Sequence, residues 1–127
     1  VATNVLIIED EPLIAMDLEG IMEEAGHRII GVARTHGEAI DIARDKNIGL
    51  ILADIQLADG SSGIDAVNEL LESVAAPVIF ITAFPERLLT GQRAEPTYLI
   101  TKPFQASLVT ALASQALFFG EKAGKGA

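Results

Sequence analysis

NVLIIEDEP, residues 4–12, is the stretch on which the fold turns. Val5 to Ile8 are apolar without a break. A strand with one solvated face would alternate, so this pattern belongs to a strand covered on both faces, as in a parallel sheet. Three consecutive acids, Glu9, Asp10 and Glu11, then end the run, and Pro12 suits the first turn of a following helix. The unit is a buried strand, an acidic turn and a helix.

Four more runs of the same kind follow: RIIGVA (28–33), GLILA (49–53), PVIFIT (77–82) and TYLIT (97–101). Segments of helical period lie between them. Ile14, Leu18, Ile21, Met22 and Ala25 make one apolar stripe after Pro12, and Gly26 suits the stop. Residues 36–46 form a second helix opened by a capping-box pattern, Thr35 and Glu38. Residues 63–73 form a third and 105–119 a fifth, with Leu108, Leu112 and Ala116 along one stripe. The connection 83–96, AFPERLLTGQRAEP, contains two prolines and a glycine and supports at most a short or irregular fourth helix. Strands alternating with helices predict an α/β fold, a doubly wound five-stranded parallel sheet, as one domain over residues 1–120.

Composition narrows the function. Half of the 127 residues are hydrophobic, enough for one sizeable core. Nine basic against eighteen acidic residues give a net charge of −9, and the basic residues are scattered, so neither nucleic acid nor an anionic membrane is an expected partner. The absence of cysteine excludes disulfides, thiolate metal sites and cysteine nucleophiles, and fits a reducing cytosol. No apolar run is long enough for a membrane span, and no signal-peptide layout opens the chain, so a cytoplasmic location is expected. The start at Val1 and the small, polar ending GEKAGKGA read as trimmed ends, with 121–127 a disordered tail.

Right-handed crossovers put the carboxyl ends of all strands on one edge, where ligands of such sheets bind. That edge collects Glu9, Asp10 and Glu11 after the first strand, Asp54 after the third, Thr82 at the end of the fourth and Lys102 after the fifth. Carboxylates held together ionise cheaply only if a cation joins them. With hard oxygen donors and no cysteine or well-placed histidine, the cation is Mg²⁺ or Mn²⁺ rather than Zn²⁺. Asp54 could act as a nucleophile on phosphorus, with Lys102 and the Thr82 hydroxyl on phosphoryl oxygens.

LIIEDEP, LADIQLADGSSGID, FITAF and KPF, in this order over nearly the whole chain, resemble the CheY-like receiver domains of two-component response regulators. The resemblance implies a flavodoxin-like strand order 2-1-3-4-5 and an Asp54 phosphoacceptor charged by a sensor histidine kinase or phosphotransferase. It implies Mg²⁺ held by Glu9, Asp10, Asp54 and the main-chain carbonyl of Gln56, with Thr82 the switch hydroxyl and Lys102 the phosphate-binding lysine. Of the three acids, Asp10 is then the first metal ligand, and Glu11 a helix N-terminal acid favoured by the dipole. More narrowly, VIFITAFPERLLTG and YLITKPF are similar to receivers of the alphaproteobacterial PhyR family of general stress response regulators. In that family the receiver follows a sigma-like domain, which phosphorylation frees to bind the anti-sigma factor NepR. The chain reads as the isolated receiver of such an anti-anti-sigma switch.

Two features depart from the common receiver. The switch aromatic that usually stands three residues before the lysine is Leu99 here, and Tyr98 should point to the opposite face as ordinary packing. The weak fourth segment favours repacking over a rigid helix shift. With the fifth strand and the ALFF end (116–119) of the fifth helix, it forms the expected output face, for a sigma-like domain or another receiver. His27 and His36, near turns and without partners at metal-ligand spacing, read as surface histidines. Asp17, Asp59 and Asp65 read as solvated helix, loop and cap charge, and DGSSG (59–63) as a flexible loop beside the site. The rival reading is a Mg²⁺-dependent phosphatase with an aspartate nucleophile, but Gln56 stands where such an enzyme places its general acid. A binding-only pseudo-receiver and an FMN binder fit the intact acidic edge less well.

Overall fold

Five parallel strands form one sheet in the order β2-β1-β3-β4-β5: β1 (Asn4–Ile8), β2 (Arg28–Ala33), β3 (Leu50–Ala53), β4 (Val78–Thr82) and β5 (Thr97–Thr101). The structure, a computed structural model, describes residues 2–90 and 97–126. Helices α1 (Pro12–Glu24), α2 (His36–Ala43), α3 (Gly63–Leu70) and α4 (Ala106–Gly126) connect or follow the strands. Pro85–Thr90, the described part of the weak fourth segment, is a short 3₁₀ helix, and 91–96 lie outside the described residues.

The apolar strands feed two cores because side chains alternate across a sheet. Leu6, Ile8, Ile51, Ala53, Val78 and Phe80 pack on one face with Ala39 and Ala43 of α2 and Val67 and Leu70 of α3. Val5, Ile7, Leu50, Leu52, Ile79, Ile81 and Ile100 pack on the other with Leu18 and Met22 of α1 and Val109, Ala113 and Ala116 of α4. Every residue of β3 and β4 is buried, as unbroken apolar runs require. At about 1.5–3 kcal/mol for each fully buried large aliphatic side chain, this two-sided covering pins the strand ends that carry the site.

Local signals place most boundaries. Pro12 opens α1, and Gly26, at φ +94°, closes it: His27 N–H reaches Met22 C=O at 3.0 Å and Gly26 N–H reaches Glu23 C=O at 3.0 Å. Thr35 caps α2 by accepting Glu38 N–H at 3.1 Å, while the Glu38 carboxylate accepts from the amide of Arg34 rather than from the cap residue itself. α2 ends before the expected residue 46, because Arg44 leaves helical geometry and Asp45 takes φ +65°. Ser62 caps α3, a role that composition alone did not reveal, and α3 ends at Leu70 rather than 73. On α4 the covered stripe is Val109, Ala113 and Ala116, with Leu108 47 % exposed, so the stripe expected at 108 and 112 is rotated by about one residue. The backbone of α4 continues to Gly126, through most of the stretch read as a disordered tail; Glu121, Lys122 and Ala123 are good helix formers. Among the described residues no helix is long and apolar enough to cross a membrane.

Candidate functional site

The strand order reverses between β1 and β3, and their carboxyl ends flank the resulting crevice. Ile8 pairs with Ala53 in register, so Glu9 and Asp54 follow side by side. Asp54 N–H donates to Ile8 C=O at 2.8 Å and Glu9 N–H to Ala33 C=O at 2.8 Å, which extends the ladder by one residue and fixes both backbones. Thr82 pairs with Thr101, and Lys102 N–H donates to Thr82 C=O at 2.9 Å, which brings the lysine to the same edge.

The Lys102 ammonium lies 2.9 Å from Asp54 Oδ2, 2.9 Å from Glu9 Oε1 and 3.3 Å from Glu11 Oε1. Glu9 is 2 % and Asp54 6 % exposed, so both acids are taken out of water. Oxygens of Glu9, Glu11 and Asp54 all lie within 4.8 Å of one another. Asp10, the first expectation for a metal ligand, is half-buried and lies outside this group, whereas Glu11, read as a dipole acid, is inside it. Glu11 keeps extended backbone, φ −85° and ψ 112°, as the residue before α1. The chain bends at Asp10, between Glu9 and Glu11. Glu11 N–H also donates to Glu9 Oε2 at 3.1 Å.

One ammonium against three carboxylates leaves the pocket short of positive charge. Burial pushes the Glu9 carboxyl up to about 7, and the hydrogen bonds and charge of Lys102 and the Glu11 amide only partly offset it. Burial by itself would lower Lys102, but Asp54 and Glu9 outweigh it and hold the ammonium above its ordinary value. Glu9 Oε1 sits at ion-pair distance from Lys102 yet is buried without a hydrogen bond of good geometry. Three clustered carboxylates, one with an oxygen so placed, and no cysteine in the chain fit a hard divalent cation such as Mg²⁺.

Thr82 is fully buried, and its Oγ1 accepts Phe84 N–H at 3.0 Å. Arg87 stacks on the Phe84 ring at 5.3 Å in the 3₁₀ segment. Tyr98 packs into the core on the α1 and α4 side, and Leu99, 41 % exposed, points the other way. At the end of α4, Phe118 and Phe119 are 55 % and 50 % exposed, with ring centroids 5.6 Å apart.

Gln56 exposes its side chain, and its backbone bridges antiparallel to Ser62. The loop after Asp54 is closed by its own hydrogen bonds. Gly63 N–H donates to Ile55 C=O at 2.6 Å, and a Cβ on Gly63 would come within 1.7 Å of the Asp54 carbonyl oxygen. Only glycine lets α3 begin this close to Asp54, a requirement hidden in DGSSG until the loop is closed. Of the histidines, His27 Nδ1 accepts Thr3 N–H at 3.3 Å, and His36 Nε2 lies 2.9 Å from Glu69 Oε1.

The sequence matches the family described as response regulator receiver domain over residues 5–113. It is 67 % identical over 123 residues to the phyllosphere-induced regulator PhyR of Methylorubrum extorquens, covering 96 % of this chain and 46 % of that protein. The chain thus spans about half the length of the curated relatives it matches. The solution structure of the Erythrobacter litoralis PhyR receiver is similar, at 63 % identity and TM-score 0.88, with 93 % of this chain and 92 % of that one covered. The Bartonella quintana anti-anti-sigma factor PhyR, in co-crystals with the anti-sigma factor NepR, is similar at 65 % identity and TM-score 0.63, covering 94 % and 49 %.

Proposed function

Because the chain belongs to the response regulator receiver family, we propose that it is a phosphoacceptor signalling module whose output is binding rather than catalytic turnover. The observation that carries this reading is the buried Asp54 carboxylate, 2.9 Å from Lys102 inside the acidic group. Asp54 attacks the phosphorus of a phosphohistidine donor. A carboxylate O–P bond forms, the P–N bond breaks, and the proton needed by the leaving imidazole stays with the donor.

Glu9, Glu11 and Asp54 are the clustered carboxylates that would hold Mg²⁺, joined, on the likeness to receivers, by Asp10 and the main-chain carbonyl of Gln56. Bound there, the ion supplies positive charge against the phosphoryl oxygens. Lys102 exchanges Asp54 Oδ2 for a phosphoryl oxygen, and the Thr82 hydroxyl donates to another. Thr82 Oγ1 also holds Phe84 N–H, so its movement draws on the 3₁₀ segment. The face made by that segment, β5 and the end of α4 then changes shape. By likeness to PhyR, this face meets a sigma-like domain or a second receiver and controls an anti-sigma switch in the cytoplasm. The phosphatase reading lacks a general acid, since Gln56 cannot protonate a leaving group.

Acetyl phosphate with Mg²⁺ should label wild type once per chain and leave Asp54→Ala unlabelled by mass analysis. Labelling that persists in Asp54→Ala, or many turnovers of p-nitrophenyl phosphate, would refute the proposal.

A further inference from the structure

Between Asp54 and α3 the chain folds back on itself, and Ser61 is the hub of that loop. Its carbonyl accepts Leu57 N–H at 3.1 Å, its amide donates to Asp59 Oδ1 at 3.0 Å, and its hydroxyl donates to the same Asp59 oxygen. The hydroxyl oxygen also accepts the amide of His36, the first residue of α2, at 3.1 Å. These two hydrogen bonds from Ser61 hold the Asp59 carboxyl below its ordinary value. A second tie joins the same corner, where Ala58 N–H donates to Arg34 C=O at 3.1 Å. The tip between the two ties is Gly60, whose φ of +82° suits glycine.

Gln56 sits in the middle of this arrangement. On one side Asp54 is fixed by the sheet and Ile55 C=O accepts Gly63 N–H; on the other Leu57 is 3 % exposed and anchored in the core. The strand facing Gln56 is Ser61–Ser62, through the Gln56–Ser62 bridge and the Leu57–Ser61 hydrogen bond. That facing strand is tied to a rigid element outside the loop by the Ser61 hydroxyl.

We propose that Ser61 is a positioning residue of the site: through α2 it holds the backbone of Gln56 so that its carbonyl is aimed for the divalent cation. The inference rests on the phosphoacceptor reading above. Loss of the hydroxyl removes two hydrogen bonds but leaves the Ala58–Arg34 tie. The cation should therefore bind roughly 3- to 10-fold more weakly, the scale of one hydrogen bond.

The test compares wild type, Ser61→Ala and Ser61→Thr. In protein without metal, amide exchange at His36 and Leu57 should quicken in Ser61→Ala and return toward wild type in Ser61→Thr. In a Mg²⁺ titration followed by the amide shifts of residues 54–57, the Kd should rise in Ser61→Ala and be restored in Ser61→Thr. An unchanged Mg²⁺ Kd in Ser61→Ala, whether or not its Tm falls, would overturn the positioning role. Wild type without Mg²⁺-dependent shifts at Asp54 and Gln56 would instead overturn the phosphoacceptor reading, and this inference with it.

Discussion

Replacing Glu9 by glutamine, Glu9→Gln, isolates the effect of burying an acid in a pocket that already holds two others. The Glu9 carboxyl is raised from 4.5 to about 7, with burial as the leading cause, and the residue is 2 % exposed. Between those values the folded protein binds a proton that the unfolded chain has released, so stability falls as pH rises. The stabilising contribution is complete below pH 4.5 and lost as pH passes 7. At 1.36 kcal/mol per pKa unit, the loss is about 3 kcal/mol. Glutamine mimics the neutral acid and does not titrate. In urea unfolding at constant ionic strength without metal, wild type should therefore lose about 3 kcal/mol relative to Glu9→Gln between pH 5 and 8. Adding Mg²⁺ at pH 8 should restore wild type by mass action and help Glu9→Gln much less. The opposite slope, with wild type gaining on Glu9→Gln as pH rises, would mean that Lys102 pairing outweighs burial. That result would refute the charge-deficient view of the site.

Lys102→Met removes the only ammonium within 4 Å of Glu9 and Asp54 among the described residues. It should cost about 2–4 kcal/mol at pH 8 by chemical denaturation, and less at pH 6, where Glu9 can take up a proton. Gly63→Ala drives a methyl group to within 1.7 Å of the Asp54 carbonyl. Backbone displacement should cost at least about 1–3 kcal/mol in unfolding experiments and slow acetyl phosphate labelling. Ser62→Ala removes the acceptor for the amides of Ile64 and Asp65, and should lower stability by about 1 kcal/mol with little effect on labelling. Chelation of divalent metal should stop labelling of Asp54 while far-UV circular dichroism stays unchanged, since the strands and helices rest on the two apolar cores.

The strands were legible because a run buried on both faces leaves an unbroken apolar signature, as in Leu50–Ala53 and Val78–Thr82. α1 was legible because Pro12 and Gly26 are strong local punctuation. The face that α4 turns to the sheet was harder to read, since apolar residues at 108, 109, 112, 113 and 116 allow two stripes a residue apart. Asp54, Thr82 and Lys102 were placed by topology, which gathers strand ends whatever the loops do. Glu11 does stand at the N-terminus of α1, as its N-terminal cap, but its closeness to Glu9 and Lys102 depends on the turn between β1 and α1, which no local period encodes. Gly63 and Ser61 depend on a closure between residues seven to nine positions from Asp54, and no local period encodes that contact.

The electrostatics of the pocket follow from that geometry. If Lys102 balanced its partners, the site would be a buried ion pair with nothing further to bind, and its carboxylates would lie below their ordinary range. Instead burial raises Glu9, the most buried of the three carboxyls, by more than the ammonium it shares with Asp54 and Glu11 lowers it. On the proposed reading, a divalent cation held by these carboxylates would add the positive charge that the lysine alone does not supply and would favour the ionised form of Glu9. With Asp54 sharing that charge, Lys102 would be freer to turn to an incoming phosphoryl group. Cation binding would in this way be coupled to the readiness of Asp54, and Glu11→Gln, which removes one carboxylate of the group, should bind Mg²⁺ more weakly. A Mg²⁺ titration followed by amide shifts checks this, and a Glu11→Gln variant that bound Mg²⁺ as tightly as wild type would remove Glu11 from the site.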